Sequence, residues 1–72
     1  MYKETFGQKL KKARDDSGMS QAEVAQKVGV SQQNLSKYER GILEPNIETL
    51  GKLCDLYCVS ADWLIGTRGN NF

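Results

Sequence analysis

The sequence has no histidine, a single proline and only two cysteines among its 72 residues. A disulfide-rich secreted scaffold needs more cysteines than this, and a structural zinc site needs four nitrogen or sulfur ligands. No apolar run has the character of a signal peptide or the length to cross a membrane. We therefore expect one small, reduced, cytoplasmic domain that holds no metal and has no membrane partner.

The sequence also lacks the groups that common enzyme mechanisms use. It has no histidine, no glycine-rich phosphate loop and no spaced nucleophile–base set. Asp15 and Asp16 are adjacent, so on a helix their side chains point apart and make poor acid–base partners. Cys54 and Cys58 are expected to be buried or half-buried thiols. We expect no enzymatic activity, no cofactor and no small-molecule substrate.

The net charge is only +1, but the charges are unevenly distributed. The segment 1–41 has eight Lys or Arg against five Asp or Glu, whereas 42–72 has two against four. The N-terminal half is therefore the part better suited to meet an anionic partner.

Apolar residues recur at helical spacing, and caps or glycines stand at the ends of the runs. The predicted helices run from about Thr5 to Ser17, from Ser20 to Gly29, from Ser31 to Arg40, from Asn46 onward, and from Ser60 to Gly66. No segment shows sustained strand alternation. The sequence predicts an all-α domain of five helices over residues 1–66, followed by a flexible tail at 67–72.

The last two helices carry the apolar positions that complete the predicted core. In helix 4 these positions are Ile47, Leu50, Leu53, Cys54 and Tyr57. In helix 5, Trp63 and Leu64 are expected to anchor the core or an interface.

The second and third predicted helices are separated only by the segment 29–31. A link this short that contains glycine makes the two helices cross steeply. Ala25 is small enough for close packing at the crossing, and Leu35 and Tyr38 form the inward side of helix 3. This pattern predicts a helix-turn-helix, whose second helix projects its first turn outward, where base edges in the major groove of DNA can be reached.

Helix 3 carries a polar face opposite its inward residues. The side chains on this face are Gln32, Gln33, Ser36, Lys37 and Arg40. A glutamine amide offers a donor and an acceptor together, which matches N6 and N7 of adenine, and a lysine can donate to O6 and N7 of guanine. The alternative is an ordinary solvated helix face. The helix-turn-helix pattern around it favours the first interpretation.

The segment MSQAEVAQKVGVSQQNLSKYERG, from Met19 to Gly41, resembles the DNA-binding domain of the phage Cro/repressor family, also called the xenobiotic-response-element family. The similarity continues through PNIETLGKLCDLYCVSADWLIG and covers the chain from about Phe6 to Gly66. It implies a compact, repressor-like fold of five helices. It also implies a transcriptional regulator, most often a repressor, that binds double-stranded operator DNA, often palindromic, as a homodimer at least on DNA.

The resemblance also implies roles for individual residues. The base-contacting positions of such relatives correspond to Gln32, Gln33 and Lys37. The positions that contact the DNA backbone correspond to Ser20, Asn34 and Arg40, and Gln21 corresponds to a further DNA-contacting position. We add Ser36, which shares the polar face of helix 3, to the residues expected to fix the register. The positions of an internal ion pair correspond to Arg14 and Glu39, so we expect a structural role for both.

Two positions depart from the family pattern. Cys58 stands where relatives often end helix 4 with glycine, so either the helix ends differently or Cys58 takes a left-handed conformation at a small cost. The loop 42–44 is apolar and acidic where many relatives have basic residues. Its exposed apolar residues would suit a dimer interface. They also favour an alternative function, in which the domain is an antitoxin or another protein-interaction module.

Overall fold

The computed structural model describes residues 2–66, of which 2–4 are described by their backbone alone. This part of the chain forms the helices α1 (Tyr2–Ser17), α2 (Gln21–Val28), α3 (Gln32–Glu39), α4 (Ile47–Tyr57) and α5 (Ala61–Ile65). The predicted all-α architecture of five helices is confirmed. The first helix begins earlier than predicted, because the residues before Thr5 include no glycine or proline to stop it. The predicted flexible tail, 67–72, lies outside the described residues.

Helix α2 has its ends fixed by local hydrogen bonds. The Ser20 hydroxyl accepts a hydrogen bond from the backbone N–H of Glu23 at 3.1 Å, and the Glu23 carboxylate accepts one from the backbone N–H of Ser20 at 2.8 Å. This reciprocal capping box satisfies two backbone donors that the first turn leaves free. Gly29 ends the helix with φ at 79°, a left-handed conformation that glycine adopts without a side-chain clash. The short α2 and the sharp turn to α3 follow from these two ends.

Polar caps also begin the next three helices, as the sequence predicts. The side chain of Ser31 accepts a hydrogen bond from the N–H of Asn34 at the start of α3. Asn46 caps α4 through the N–H of Thr49, and Ser60 caps α5. Each cap satisfies a backbone donor that has no partner within its own helix.

The core receives a fully buried side chain from every one of the five described helices. These side chains are Leu10, Val24, Leu35, Leu53 and Leu64. One residue that the sequence places inside is outside, and a second is only partly covered. Ile47 is 87% exposed, because it is the first residue of α4 and lies before the part of the helix that packs on the core. Trp63 is 39% exposed and lies beneath the ammonium of Lys9, which is 5.3 Å from the ring centroid.

Cys58 ends α4 in the left-handed conformation, with φ at 56° and ψ at 44°. Of the two predicted alternatives, the helix therefore ends at Cys58 as it would at a glycine, and Cys58 adopts a conformation that is unfavourable for a residue with a side chain. Hydrogen bonds offset part of this cost, since the N–H of Val59 donates to the carbonyl of Cys54 at 3.0 Å. Cys54 is half-buried as expected, but the expectation of a buried thiol is wrong for Cys58, because the cap turns its side chain into solvent.

None of the helices described combines the length and the apolar character that crossing a bilayer demands.

Candidate nucleic-acid interface

An open groove of about 500 Å³ lies between the start of α2 and the outer face of α3. Its lining residues are Gln21, Gln32, Gln33, Ser36, Lys37 and Arg40. The structure thus brings six of the eight predicted DNA-contacting residues into one surface feature. Ser20 and Asn34 are the two that do not line it.

The direction in which the groove residues face is set by the inward side of α3. Leu35 is 0% exposed and Tyr38 is 5% exposed, so these two side chains hold the helix against the core. Gln33 and Lys37 lie on the other side, one turn apart, and both are exposed. The packing therefore presents the amide and the ammonium together to solvent.

The two predicted residues outside the groove lie at the starts of their helices. The hydroxyl of Ser20 already accepts the capping hydrogen bond of α2, although an oxygen of this kind can make further bonds. Asn34 is exposed in the first turn of α3. Helix N-termini attract anions, because their free N–H groups point outward and the helix dipole is positive there.

The charge of the groove lining is positive. Lys37 and Arg40 contribute two cations, and the described lining includes no carboxylate. Glu39 follows Lys37 closely along α3, but its side chain is 3% exposed and turned into the domain. A cationic, amide-rich surface is suited to a polyanion whose edges also donate and accept hydrogen bonds.

Arg14 and Glu39 form an ion pair with two hydrogen bonds. Arg14 Nε donates to Glu39 Oε2 at 2.7 Å, and Arg14 Nη2 donates to Oε1 at 3.2 Å. A third donor of Arg14, Nη1, reaches the carbonyl of Met19 at 3.1 Å. The pKa of Arg14 is raised, chiefly because Glu39 accepts its hydrogen bonds. The guanidinium thereby joins α1 to the segment before α2 and to the last turn of α3.

Glu39 also binds a groove residue, and no pattern in the sequence predicts this contact. Gln21 Nε2 donates to Glu39 Oε1 at 3.0 Å. The two residues lie on different helices and 18 positions apart, so no local spacing pattern connects them. Gln21, which is predicted to contact DNA, is thus hydrogen-bonded to the carboxylate of the internal ion pair.

Tyr57 lies near this ion pair, and the sequence indicated only that it is apolar core. Its hydroxyl is buried and has no hydrogen-bond partner among the described residues. Its pKa is raised to about 12, mainly because burial disfavours the phenolate and secondly because of the Glu39 charge, while Arg14 lowers it. The hydroxyl therefore contributes a buried polar atom without a compensating bond.

Across the described residues, no group of three or more His, Cys, Asp or Glu side chains could hold a metal ion. The pKa of the Cys54 thiol is raised by burial and by the nearby Asp55 carboxylate. Metals bind the thiolate form, which this environment disfavours.

Comparison with known proteins assigns the class of protein. A family model described as helix-turn-helix matches residues 10–64, and the chain belongs to this family. The chain is 45% identical over 62 residues to the HTH-type transcriptional regulator ImmR of Bacillus subtilis (strain 168). The matched segment covers 86% of this chain and 49% of ImmR. The chain is 32% identical over 66 residues to the cryptic phage CTXphi transcriptional repressor RstR of Vibrio cholerae, covering 92% and 60%.

A solved structure shares the fold. The crystal structure of the clp gene regulator ClgR from C. glutamicum matches with a TM-score of 0.81 and 31% sequence identity, over 90% of this chain and 83% of that one. The resemblance to the Cro/repressor family is thereby confirmed. The chain spans about half the length of the curated relatives it matches, with 49% of ImmR and 56% of the SPbeta prophage-derived regulator YonR.

Proposed function

We propose that this domain binds double-stranded DNA sequence-specifically and regulates transcription, with α3 in the major groove. The observation that carries the proposal is the groove of amide, hydroxyl and cationic side chains on the outer face of α3. DNA offers the complementary groups, phosphates along its backbone and donor and acceptor edges in its major groove. Family membership and relatives that are named transcriptional regulators support it. The domain acts by binding in the cytoplasm and carries out no enzymatic reaction.

The side chains that contact the bases are the exposed ones near the start of α3. Gln32 and Gln33 each present an amide, which pairs with N6 and N7 of adenine through two hydrogen bonds. Lys37, one turn after Gln33, donates to acceptors such as O6 and N7 of guanine. A good bidentate contact contributes about 1–3 kcal/mol of discrimination against the wrong base.

The residues that fix the register on the DNA backbone lie at the helix ends and in the groove lining. These residues are Ser20, Gln21, Asn34, Ser36 and Arg40. Hydroxyls, amides and a guanidinium donate to phosphate oxygens without reading sequence. Each phosphate that a cation neutralises adds about 0.9 to the negative slope of log K against log salt, so binding weakens as salt rises.

The DNA partner we propose is a two-fold operator bound by a homodimer, with repression as the outcome. Most helix-turn-helix readers of this kind meet two half-sites with two copies, so the symmetry of the operator mirrors that of the dimer. The name of RstR as a repressor supports the direction of the effect.

A second candidate function is a protein-interaction module, such as an antitoxin. It is favoured by the exposed apolar side chains that follow α3 and begin α4, since Ile42 is 59% exposed, Leu43 37% and Ile47 87%. Exposed apolar residues that lie close together often mark a protein contact. The near-neutral net charge of +1 fits a protein partner as well as it fits DNA.

Selection from a pool of random-sequence duplexes, at low and at moderate salt, separates the two candidates. The DNA-binding proposal expects one enriched motif with two-fold symmetry and weaker retention as salt rises. Absence of enrichment at low salt contradicts the proposal and favours the interaction module. Sedimentation of the protein with and without the enriched duplex then shows whether two copies assemble on it.

A further inference from the structure

We propose that Glu39 is a positioning residue for DNA recognition, because it fixes the orientation of the Gln21 amide at the edge of the groove. The inference rests on the proposed function, and it assigns to the internal ion pair a role in binding as well as in stability.

Both oxygens of the Glu39 carboxylate accept hydrogen bonds from side chains of two other helices. Oε1 accepts hydrogen bonds from Gln21 Nε2 at 3.0 Å and from Arg14 Nη2 at 3.2 Å. Oε2 accepts one from Arg14 Nε at 2.7 Å. The side chain of Glu39 is 3% exposed and that of Arg14 is 13% exposed, so water competes little for these bonds.

An ionised carboxylate accepts hydrogen bonds and donates none, so only the NH₂ end of the Gln21 amide can face it. Rotating the amide by half a turn would bring its carbonyl oxygen against Oε1 of Glu39. Two acceptors would then face each other in a partly buried site, and a hydrogen bond to a charged group would be lost. The bond therefore selects one of the two amide orientations.

The selected orientation decides what Gln21 offers to a ligand in the groove. Its carbonyl oxygen is turned away from Glu39, and its second N–H remains for another acceptor. Gln32 and Gln33, which line the same groove, are exposed and have no such bond to Glu39. A pre-oriented side chain loses less conformational freedom on binding, so its contact with DNA is stronger.

Arg14 completes the arrangement from α1. It holds both carboxylate oxygens of Glu39 and also reaches the carbonyl of Met19, just before α2. The path of contacts runs from Arg14 on α1 to Glu39 on α3 and then to Gln21 on α2. Loss of the Glu39 carboxylate should therefore change DNA binding through Gln21, apart from its effect on stability.

A double-mutant cycle tests this inference. Affinity for the best selected duplex is measured for wild type, Gln21→Ala, Glu39→Gln and the double variant, at a temperature where circular dichroism shows each to be folded. An amide in place of the Glu39 carboxylate would offer both a donor and an acceptor, so the amide of Gln21 could take either orientation. We expect Glu39→Gln to weaken binding about 3- to 10-fold with Gln21 present and to have no further effect in the Gln21→Ala background.

Asp15→Asn is the matched control for the change in charge. Asp15 Oδ1 lies 3.8 Å from Arg14 Nη2, and the Asp15 side chain is half-exposed. The substitution removes one negative charge, as Glu39→Gln does, but Asp15 makes no hydrogen bond to Gln21. We expect its affinity to equal that of wild type or to rise slightly. If Glu39→Gln leaves the domain unfolded, Glu39→Asp keeps the charge, withdraws the oxygens by one methylene and serves in the same cycle.

The side-chain amide resonances of the free protein give a readout that needs no DNA. We expect one Gln21 amide proton to be shifted and protected from exchange in wild type and in Asp15→Asn, and clearly less shifted and less protected in Glu39→Gln, where the amide samples both orientations. Equal losses of affinity in both backgrounds, or a Gln21 amide without protection, overturn the inference. Failure of the wild type to bind any duplex contradicts the proposed function instead, and the amide protection still decides whether Glu39 orients Gln21.

Discussion

Gly7, in the middle of α1, lies against the end of α3 so closely that a Cβ atom on it would be 2.5 Å from the carbonyl oxygen of Glu39. The same atom would lie 2.8 Å from the carbonyl oxygen of Tyr38. Backbone meets backbone here, and no side chain can move aside to relieve the contact. The turn of α3 that Gly7 touches is also the turn whose carboxylate binds Arg14 and Gln21.

Replacement of Gly7 by alanine should therefore destabilise the domain, although alanine is the better helix former. We expect Gly7→Ala to lower the free energy of unfolding by roughly 1–3 kcal/mol, because α1 and α3 must separate. Gly51→Ala is the matched control, since Gly51 lies in α4 with nothing within 4 Å of its added Cβ. Gly51→Ala should raise the free energy of unfolding by up to about 1 kcal/mol, because alanine favours the helix more than glycine does. Urea unfolding measures both, and equal gains in stability would contradict the close contact.

The ion pair should contribute strongly to stability. Arg14→Met keeps much of the side-chain volume but leaves Glu39 buried without a cation, so we expect a loss of roughly 2–4 kcal/mol in the free energy of unfolding. Lys12→Met breaks an exposed pair with Asp16 and should cost no more than about 0.5 kcal/mol. Thermal and urea unfolding test the difference. Similar small effects for both variants would show that Glu39 finds other partners.

The hydroxyl of Tyr57 should contribute nothing to stability at neutral pH. We expect Tyr57→Phe to leave the free energy of unfolding unchanged or to raise it by up to about 1 kcal/mol, because a buried unpaired polar atom is removed. A loss above about 1 kcal/mol in urea unfolding at pH 7 would show that the hydroxyl has a bonding partner.

The same tyrosine should make wild-type stability fall in alkali. Its pKa is about 12 in the folded protein, above the value of about 10 for an unfolded chain. Between these two values the unfolded chain releases a proton that the folded protein keeps, so the free energy of unfolding decreases as pH rises. Urea unfolding of wild type and Tyr57→Phe at pH 7 and pH 11 should show the advantage of phenylalanine growing. A constant difference between them would contradict the raised pKa.

The left-handed conformation of Cys58 should carry a small cost that glycine removes. We expect Cys58→Gly to raise the free energy of unfolding by about 0.5–1 kcal/mol, the steric relief being partly offset by the freedom of glycine in the unfolded chain. Cys58→Ala removes the thiol but keeps the strained φ, so it should stay near wild type. A gain in Cys58→Ala as large as that in Cys58→Gly would place the cost in the thiol.

Local signals in the sequence predict much of this fold. Ser20 with Glu23, Ser31 and Asn46 are caps whose partners lie three residues away, so their hydrogen bonds can be foreseen without the tertiary structure. Gly29 predicts the turn after α2, because the left-handed conformation of a helix end favours glycine at that position. The sequence also predicts which face of α3 is exposed, because Leu35 and Tyr38 fix the buried side.

The remainder depends on contacts between distant segments. A glycine inside a helix, such as Gly7, has no sequence signature of a close approach to another helix. The bond from Gln21 to Glu39 joins α2 to α3 across 18 positions. Ile47 has the correct helical spacing for the core, but it precedes the packed part of α4 and is exposed. Periodicity gives the side of a helix, whereas the length of the packed segment depends on its neighbours.

Selection of duplexes by single variants tests most directly whether the outer face of α3 reads bases. Gln33→Ala is compared with Gln26→Ala, which removes an exposed glutamine of α2 that is not among the groove lining. We expect Gln26→Ala to select the wild-type motif. Gln33→Ala should lose preference at one base pair of each half-site and bind the best wild-type duplex about 1–3 kcal/mol more weakly. An unchanged motif with unchanged affinity for Gln33→Ala would contradict base reading by this face of α3.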